Sequence, residues 1–266
     1  MQLHQLQHNI LYACVGEHKP GFDPFVPIHS LGFIISGFME IYTENGVQIV
    51  GKGTIGLVKR NQLLKATKKP DGEKPFKLIS IFFTEEILKA YSIENDVKAN
   101  SIYTGDTYLA LPNDPFLNSY FDSLMPYFDQ PDQLTASLAK AKTNEAIALL
   151  LRNPALKNFL FDFSEPHKID LEAYMNRHFS YNVPLAKFAK LTGRSLSTFK
   201  RDFEKIFRAS PEKWLQKRRL EMAHFLISQK DKRPSDVYLE VGFENFSHFS
   251  TAFKKEFGVN ASSVIK

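Results

Sequence analysis

Cysteine is almost absent from this chain: its 266 residues contain one, Cys14. A lone thiol closes no internal disulfide and builds no metal site by itself, which excludes a disulfide-stapled scaffold and a cysteine-ligated zinc module. The expected role of Cys14 is that of a small buried apolar residue. No apolar run approaches the length of a membrane span, and the opening MQLHQLQHN lacks a basic segment followed by an apolar stretch. No membrane association is therefore expected, and the cytoplasm is the default location. Histidines are scattered: His4, His8, His18 and His29 include no His-x-His pair and have no glutamate at ligand spacing. No P-loop, nucleophile–base pair or carboxylate constellation appears, so no catalytic residue, metal or cofactor is expected.

The charge that is present is unevenly divided. Residues 1–166 carry 15 Lys and Arg against 18 Asp and Glu, a net of −3, whereas residues 167–266 carry 19 against 11, a net of +8. A basic C-terminal region on an acidic remainder is the footprint expected of phosphate binding, because basic side chains release counterions from DNA.

Two helix-turn-helix patterns occupy that basic region. The first runs from Val183 to Phe207 (VPLAKFAKLTGRSLSTFKRDFEKIF) and the second from Pro234 to Phe257 (PSDVYLEVGFENFSHFSTAFKKEF). Each has an apolar-periodic helix, a break at Gly193 or Gly242, and a second helix mixing aromatics with Lys, Arg, Ser and Thr. Such a turn sets two helices at a steep angle and exposes the second, which can lie in a major groove. Asp170 is placed to cap a preceding helix that ends near His178. Ser210-Pro211-Glu212 supplies an N-cap, a first-turn proline and an acid that complements the helix dipole, opening a long helix to about Gln229.

The rest of the chain reads as β-rich and then helical. His29 to Tyr42 is an apolar run broken by Gly32 and Gly37. Glu44-Asn45-Gly46 is a hairpin signal, and Val47–Val50, Thr54–Val58 and Lys77–Phe83 are further short strands. Lys68 to Gly72 reads as an exposed turn. Strands at this spacing with glycine-rich turns argue a small barrel or sandwich. Helical patterns follow at Glu85–Tyr91, at Asp114–Phe128 and from Pro131 to Asn153-Pro154. The last carries an imperfect apolar stripe of Leu134, Leu138, Ala141, Ala148 and Leu149, broken by Glu145. That helix can pair with its copy in a dimer or pack on its own barrel. Asp162 to Lys168, polar and containing Pro166, is the linker candidate.

Helical spacing divides each candidate recognition helix into two faces. Leu196, Phe199, Phe203 and Phe207 fall on an inner side, with Ser197, Lys200, Arg201 and Glu204 outside. Phe249, Phe253 and Phe257 are inner in the second helix, leaving Phe246, Ser247, Ser250, Thr251 and Lys254 outside. Arg and Lys suit guanine edges or phosphates, and Ser donates to either. Phe246 can contact a thymine methyl or pack against Phe243. Arg194 and Ser195 before the first helix, and Asn245 before the second, complete the expected DNA-binding set. Arg218 and Arg219 lie between the motifs; Arg219 is expected to brace the two halves by ion pairing.

The stretch LAKFAKLTGRSLSTFKRDFEKIFRASPEKWLQKRRLEMAHFLI followed by VGFENFSHFSTAFKKEFG resembles the DNA-binding domain of AraC/XylS-type transcription regulators. The signature positions are Gly242-Phe243, Ser247, Phe249, Phe253-Lys254-Lys255 and Phe257-Gly258. The resemblance covers about residues 170–266 and implies two helix-turn-helix units joined by a long helix and bound to one face of DNA. It places base contacts on Ser197, Lys200, Arg201, Phe246, Ser247 and Thr251. The chain departs from the family pattern at Arg208, where a glycine is usual, so that either a left-handed arginine or a different turn is implied. It departs also at Thr251 for a frequent arginine, at Pro234 and Tyr238, and at Ala261 for a proline.

The expected architecture is α+β: an N-terminal cupin-like β-barrel with flanking helices, and a C-terminal all-α domain with two helix-turn-helix motifs. The expected domains are 1–130 as sensor, 131–166 as helical dimerisation and linker segment, and 167–266 as DNA-binding domain. The resemblance implies double-stranded promoter DNA, RNA polymerase and a second copy of the chain as partners. The barrel would sense a small-molecule or protein effector. The basic run from Lys59 to Lys77 is either a protein-binding surface or a soluble loop.

Overall fold

The computed structural model describes residues 2–16, 24–43, 46–164 and 166–264, with the side chains of residues 2–5 and 43 left aside. His18, the side chain of His4, and Glu44 and Asn45 of the expected hairpin turn lie outside the described residues. The chain divides into two compact units, Met1–Ser164 and Glu165–Lys266.

The first unit contains β1 (Gln2–Gln7), β2 (Ile10–Val15), β3 (Phe25–Val26), β4 (His29–Ser36), β5 (Phe38–Thr43), β6 (Gly46–Gly51), β7 (Ile55–Val58), β8 (Gln62–Leu63), β9 (Lys65–Lys69), β10 (Phe76–Phe83) and β11 (Tyr108–Ala110). They form antiparallel sheets in the orders β1-β2-β10-β4-β7-β11, β6-β5-β9 and β3-β8. Among the described residues no closed ring of hydrogen-bonded strands results. The barrel expected from sequence takes the form of a six-stranded sheet faced by a three-stranded one. The chain crosses between them at Gly37, whose φ is +75°; a Cβ there would stand 2.5 Å from the Lys69 carbonyl oxygen. Gly32, expected to break the first strand, lies inside β4, and β9 runs through Lys68 and Lys69, leaving the turn expected over Lys68–Gly72 to residues 71–74.

The helices of this unit, α1 (Glu85–Asn95), α2 (Pro115–Asp122), α3 (Pro126–Asp129), α4 (Ala136–Leu151) and α5 (Ala155–Phe161), contribute to a core built on the six-stranded sheet. Ile10, Leu31, Leu57, Ile79, Ile81 and Phe83 meet Tyr120, Phe121, Ile147, Leu150, Phe159 and Leu160 there. Sequence periodicity misplaces the face of α4. Leu138, Ala141, Glu145 and Ala148 are exposed, while Ala139, Thr143, Ala146, Ile147 and Leu150 are buried. The buried face includes a hydroxyl that a hydropathy stripe does not count: Thr143 Oγ1 donates to Ala139 O at 2.7 Å and accepts from Asn9 Nδ2 at 2.9 Å.

Asp162 is no linker residue. Its carboxylate accepts from the Tyr103 amide at 3.0 Å and its carbonyl from the Arg60 guanidinium at 3.1 Å. Arg60 also pairs with Glu85, and its amide donates to Nδ1 of the fully buried His29 at 3.3 Å. His29 Nε2 is buried without a hydrogen-bond partner, while the ring packs 5.3 Å from that of Phe159. Burial first, and then the Arg60 and Lys59 charges, push the imidazole down to about 3.

His29 is thus neutral in the folded chain, whereas in the unfolded chain it takes up a proton as pH falls through 6.5. Its contribution is complete above that value and is lost on acidification towards about 3. We expect the first unit to be about 2 kcal/mol less stable near pH ~5 than near pH ~7 on account of His29. Denaturant unfolding at several pH values checks this. His29→Asn, which retains an acceptor for the Arg60 amide, should remove that part of the slope, and an unchanged slope would disprove the assignment.

Candidate nucleic-acid interface

The second unit is helical: α6 (Leu171–His178), α7 (Leu185–Leu191), α8 (Leu196–Phe207), α9 (Pro211–Lys230), α10 (Pro234–Glu240) and α11 (Phe246–Phe257), then a short 3-10 turn at Ala261–Val264. Two helix pairs, α7–α8 and α10–α11, are joined by α9.

The turns of the two pairs are built alike. After α7 the Gly193 amide donates to Lys190 O and the Arg194 amide to Ala189 O, at 3.0 and 2.9 Å; after α10 the Gly242 amide donates to Leu239 O and the Phe243 amide to Tyr238 O, at 3.2 and 2.8 Å. Both are Schellman closures, with the glycine left-handed at φ +66° and +98°. No other residue fits: a Cβ at Gly193 would run into the His167 carbonyl, and one at Gly242 into that of Ser180. The next helices start on equivalent caps. Ser195 Oγ accepts from the Thr198 amide at 3.3 Å, and Asn245 Oδ1 from the His248 amide at 2.7 Å.

The shared geometry explains one misassigned residue. In a Schellman closure the residue after the glycine turns back toward the helix it ends. Phe243 fills that place in the second motif and is buried. In the first motif it falls to Arg194, whose side chain is only 6% exposed. Its guanidinium is spent internally, on Asp202 Oδ2 at 3.1 Å, Ile169 O at 3.0 Å and Thr192 O at 2.6 Å. Arg194 therefore leaves the DNA-facing set and holds the first motif together. The carboxyl of Asp202 is held below its usual range, first by the Arg194 hydrogen bond and, against an opposing desolvation, by Lys168.

The outer faces carry the remaining expected residues. On α8, Ser197, Lys200, Arg201 and Glu204 are exposed, while Phe199 and Phe203 are fully buried and Phe207 half-buried against Trp214 at 4.5 Å between ring centroids. Leu196, read as an inner residue, is 42% exposed, because the Ser195 cap makes it the first helical residue, before the helix reaches its core. Lys200 pairs with Glu212 at 3.4 Å, and Arg201 lies 3.7 Å from Asp202. On α11, Phe249, Ala252 and Phe253 are buried, Phe246, Ser247, Thr251 and Lys254 are exposed, and Ser250 is half-buried. Phe246 is 44% exposed, and its ring stands 5.6 Å from Tyr238, the bulky departure from the family pattern. Phe243 instead packs on Phe249 at 5.3 Å.

The linking helix α9 and the second motif are fastened to one segment. Arg219 of α9 donates from Nε to Phe179 O at 2.8 Å and from Nη2 to Tyr181 O at 2.9 Å. Asn182 Nδ2 donates to Glu244 Oε1 at 2.6 Å, and Gly242 lies against Ser180 O. Residues 179–182 are therefore gripped by α9 and by the second turn together. The ion pair expected of Arg219 is replaced by two backbone carbonyls. Burial pushes its guanidinium down to about 10, with Glu244 opposing that shift. Asn182 precedes the first motif and Glu244 sits in the turn of the second, and no local pattern links two residues 62 positions apart.

A family model described as the ExsA N-terminal regulatory domain matches residues 29–163, half of the chain, and one described as a helix-turn-helix domain matches residues 188–266. The chain belongs to the AraC/XylS family of transcription regulators. The transcriptional regulator ExsA of Pseudomonas aeruginosa is 30% identical over 128 residues, 47% of this chain and 46% of ExsA. The thermoregulatory protein LcrF of Yersinia pestis is 32% identical over 92 residues, 35% of this chain and 34% of LcrF. The chain thus spans less than half the length of these relatives. The crystal structure of apo ToxT from Vibrio cholerae aligns over 97% of each chain at 11% identity, with a TM-score of 0.48.

One departure of this regulator from the family pattern is structurally explicit. Arg208 closes α8 with φ +54°, its amide donating to Glu204 O at 3.0 Å. A side chain in that conformation costs about 1–2 kcal/mol. Arg208→Gly should therefore stabilise the second unit by about 1 kcal/mol, read as a rise of a few degrees in its melting temperature. For Arg194→Ala the expected result is a loss of about 2 kcal/mol of stability with the preferred DNA sequence unchanged in the protein that remains folded. Altered sequence preference at full stability would return Arg194 to the DNA-facing set.

Proposed function

We propose that this chain is a one-component transcription regulator that reads promoter DNA with α8 and α11 in two successive major grooves. The observation that carries the reading is the repeated turn: two Schellman closures, two capped helices and two outward polar faces within one small unit of net charge +8 over residues 167–266. Recognition helices contact bases chiefly through their first turns. Ser197, Lys200 and Arg201 are the reading residues of α8. On α11, Phe246 meets a thymine methyl, Ser247, Ser250 and Thr251 contribute short polar contacts, and Lys254 binds phosphate. Ser195 and Asn245 act through the helix N-termini they cap, which favour phosphate.

The first unit shifts promoter occupancy by favouring one state when an effector binds. The match to a regulatory-domain model supports a control role for it. The exposed face of α4, with Leu138, Ala141 and Ala148, is the candidate surface for a second copy, and RNA polymerase is the candidate partner at the promoter. No helix among the described residues is long and apolar enough to cross a membrane, in keeping with a cytoplasmic site of action. The alternative is control by a protein anti-activator docked on the first unit. Copurification of a small molecule or of a protein separates the two.

Selection of bound duplexes from random DNA by the full chain tests the reading. The expected motif has two elements about one helical turn apart. Lys200→Ala and Arg201→Ala should relax the first element, and Thr251→Ala the second, each by about 1–3 kcal/mol per lost base contact. Salt-sensitive binding with no enriched sequence, from protein shown to be folded, would overturn it.

A further inference from the structure

Each of the six helices of the second unit begins on an apolar residue: Leu171, Leu185, Leu196, Pro211, Pro234 and Phe246. In the helices that only build the scaffold this residue turns in. Leu171, Pro211 and Pro234 are buried and Leu185 is half-buried. The two recognition helices differ: Leu196 at the start of α8 is 42% exposed, and Phe246 at the start of α11 is 44% exposed. A single exposed leucine needs no explanation. The same exposure at the first position of both recognition helices, and of none of the other helices among the described residues, makes the two residues a pair.

Local geometry aims both side chains at the place where bases would lie. Helical side chains lean toward the N-terminus of their helix, so a residue at the first position overhangs the helix end. That is the end through which a recognition helix meets base edges. Behind Leu196 the hydroxyls are engaged with one another: Ser195 Oγ, which caps the Thr198 amide, lies 3.1 Å from Ser197 Oγ and 3.0 Å from Thr198 Oγ1. Leu196 is thus the largest side chain that the first three residues of α8 present, one helical turn from Lys200. Phe246 is one turn from Ser250, and its ring is backed by Tyr238 and Phe249 at 5.6 and 6.0 Å between centroids.

An isobutyl group on a reading surface has one complementary group in the major groove, the C5-methyl of thymine; the other base edges offer donors and acceptors. Pressed against one of those, leucine would leave it desolvated and unpaired. We propose that Leu196 reads a thymine methyl in the first DNA element, as Phe246 does in the second, so that thymine stands at equivalent places in the two elements. The inference rests on the DNA-reading role given above. It adds to α8 a residue that discriminates by shape, beside Lys200 and Arg201, which discriminate by hydrogen bonds.

The test takes a duplex enriched in the selection described above and replaces its thymines one at a time by deoxyuridine, which keeps every hydrogen-bonding group and lacks only the methyl. Binding by the full chain is followed by fluorescence anisotropy at fixed salt. One position in each element should weaken by about fourfold, the worth of one buried methyl. Leu196→Ala should lose the deoxyuridine penalty in the first element alone and Phe246→Ala in the second alone, while Leu196→Met retains both. Each protein is compared with itself on the two duplexes, so a substitution that merely loosens the fold produces no such coupling. Indifference to deoxyuridine throughout the first element, an enriched first element without thymine, or a penalty undiminished in Leu196→Ala overturns the proposal. Failure to enrich any duplex overturns the DNA-reading role itself, whereas enrichment without methyl dependence at Leu196 removes this inference alone.

Discussion

The attachment of the second helix-turn-helix depends on one half-buried guanidinium, that of Arg219. Each helix-turn-helix has its own small aromatic core, around Phe199 and Phe203 in the first and around Phe249 and Phe253 in the second. Two cores joined by a helix would still leave the recognition helices loosely related. On the side of the second motif Arg219 limits that freedom by ordering residues 179–182 against α9, where the second turn closes on them through Gly242 and Asn182–Glu244. Charged hydrogen bonds to backbone carbonyls in a desolvated setting are among the stronger polar contacts available to a protein. Even lowered to about 10, the guanidinium stays ionised at neutral pH, so this fastening is present throughout the physiological range.

Around that fastening the unit uses one local device twice with different chemistry. The positive-φ glycines and the caps are equivalent, but the inward position after the glycine is Arg194 in one motif and Phe243 in the other. The first motif is thereby held by a polar network through Asp202, the second by aromatic packing. The outer faces differ as well. α8 offers Lys200 and Arg201, whereas α11 offers mostly short hydroxyls with Phe246 and Lys254. Glu212 sits 3.4 Å from Lys200, so a phosphate that engages Lys200 competes with an ion pair already made inside the protein. Exposed pairs of this kind are weak, and that competition costs little.

The N-terminal unit is arranged as three layers: helices, a six-stranded sheet, and a three-stranded sheet. The helical side is packed with large side chains around Tyr120, Phe121 and Phe159. The opposite side has a smaller core of Ile34, Ile41, Phe76 and Leu78, and a cavity of about 530 Å³ opens beside it. The apolar strands thus serve stability on one face and leave room on the other. Val58 lines the cavity, and the next two residues, Lys59 and Arg60, bond to Tyr103 and Asp162 near the end of the unit. The cavity wall is therefore continuous with the residues that immediately precede the second unit in the chain.

How much of this was legible in the sequence varies with the range of the interaction responsible. The helix pairs, their glycine breaks and the Ser210 and Asp170 caps all follow from bonds spanning a few residues, and sequence determined them. The outward placing of Lys200, Arg201, Ser247 and Thr251 likewise follows from helical periodicity against strongly aromatic inner faces. Where the inner face was weakly apolar the same reasoning failed: α4 buries alanines and Thr143, because close approach to the neighbouring helices α2 and α5 rewards small side chains that hydropathy does not rank. The hairpin of β1 and β2 went unread because its turn, His8-Asn9, is stabilised by Asn9 reaching Phe82 O and Thr143 across the fold. Only tertiary structure decided that Arg194 turns inward, that Arg219 holds carbonyls and not a carboxylate, and that Gly32 and Gly56 meet in the wall of a cavity. Each of these depends on atoms brought together from distant positions in the chain, and no local pattern of residues encodes that proximity.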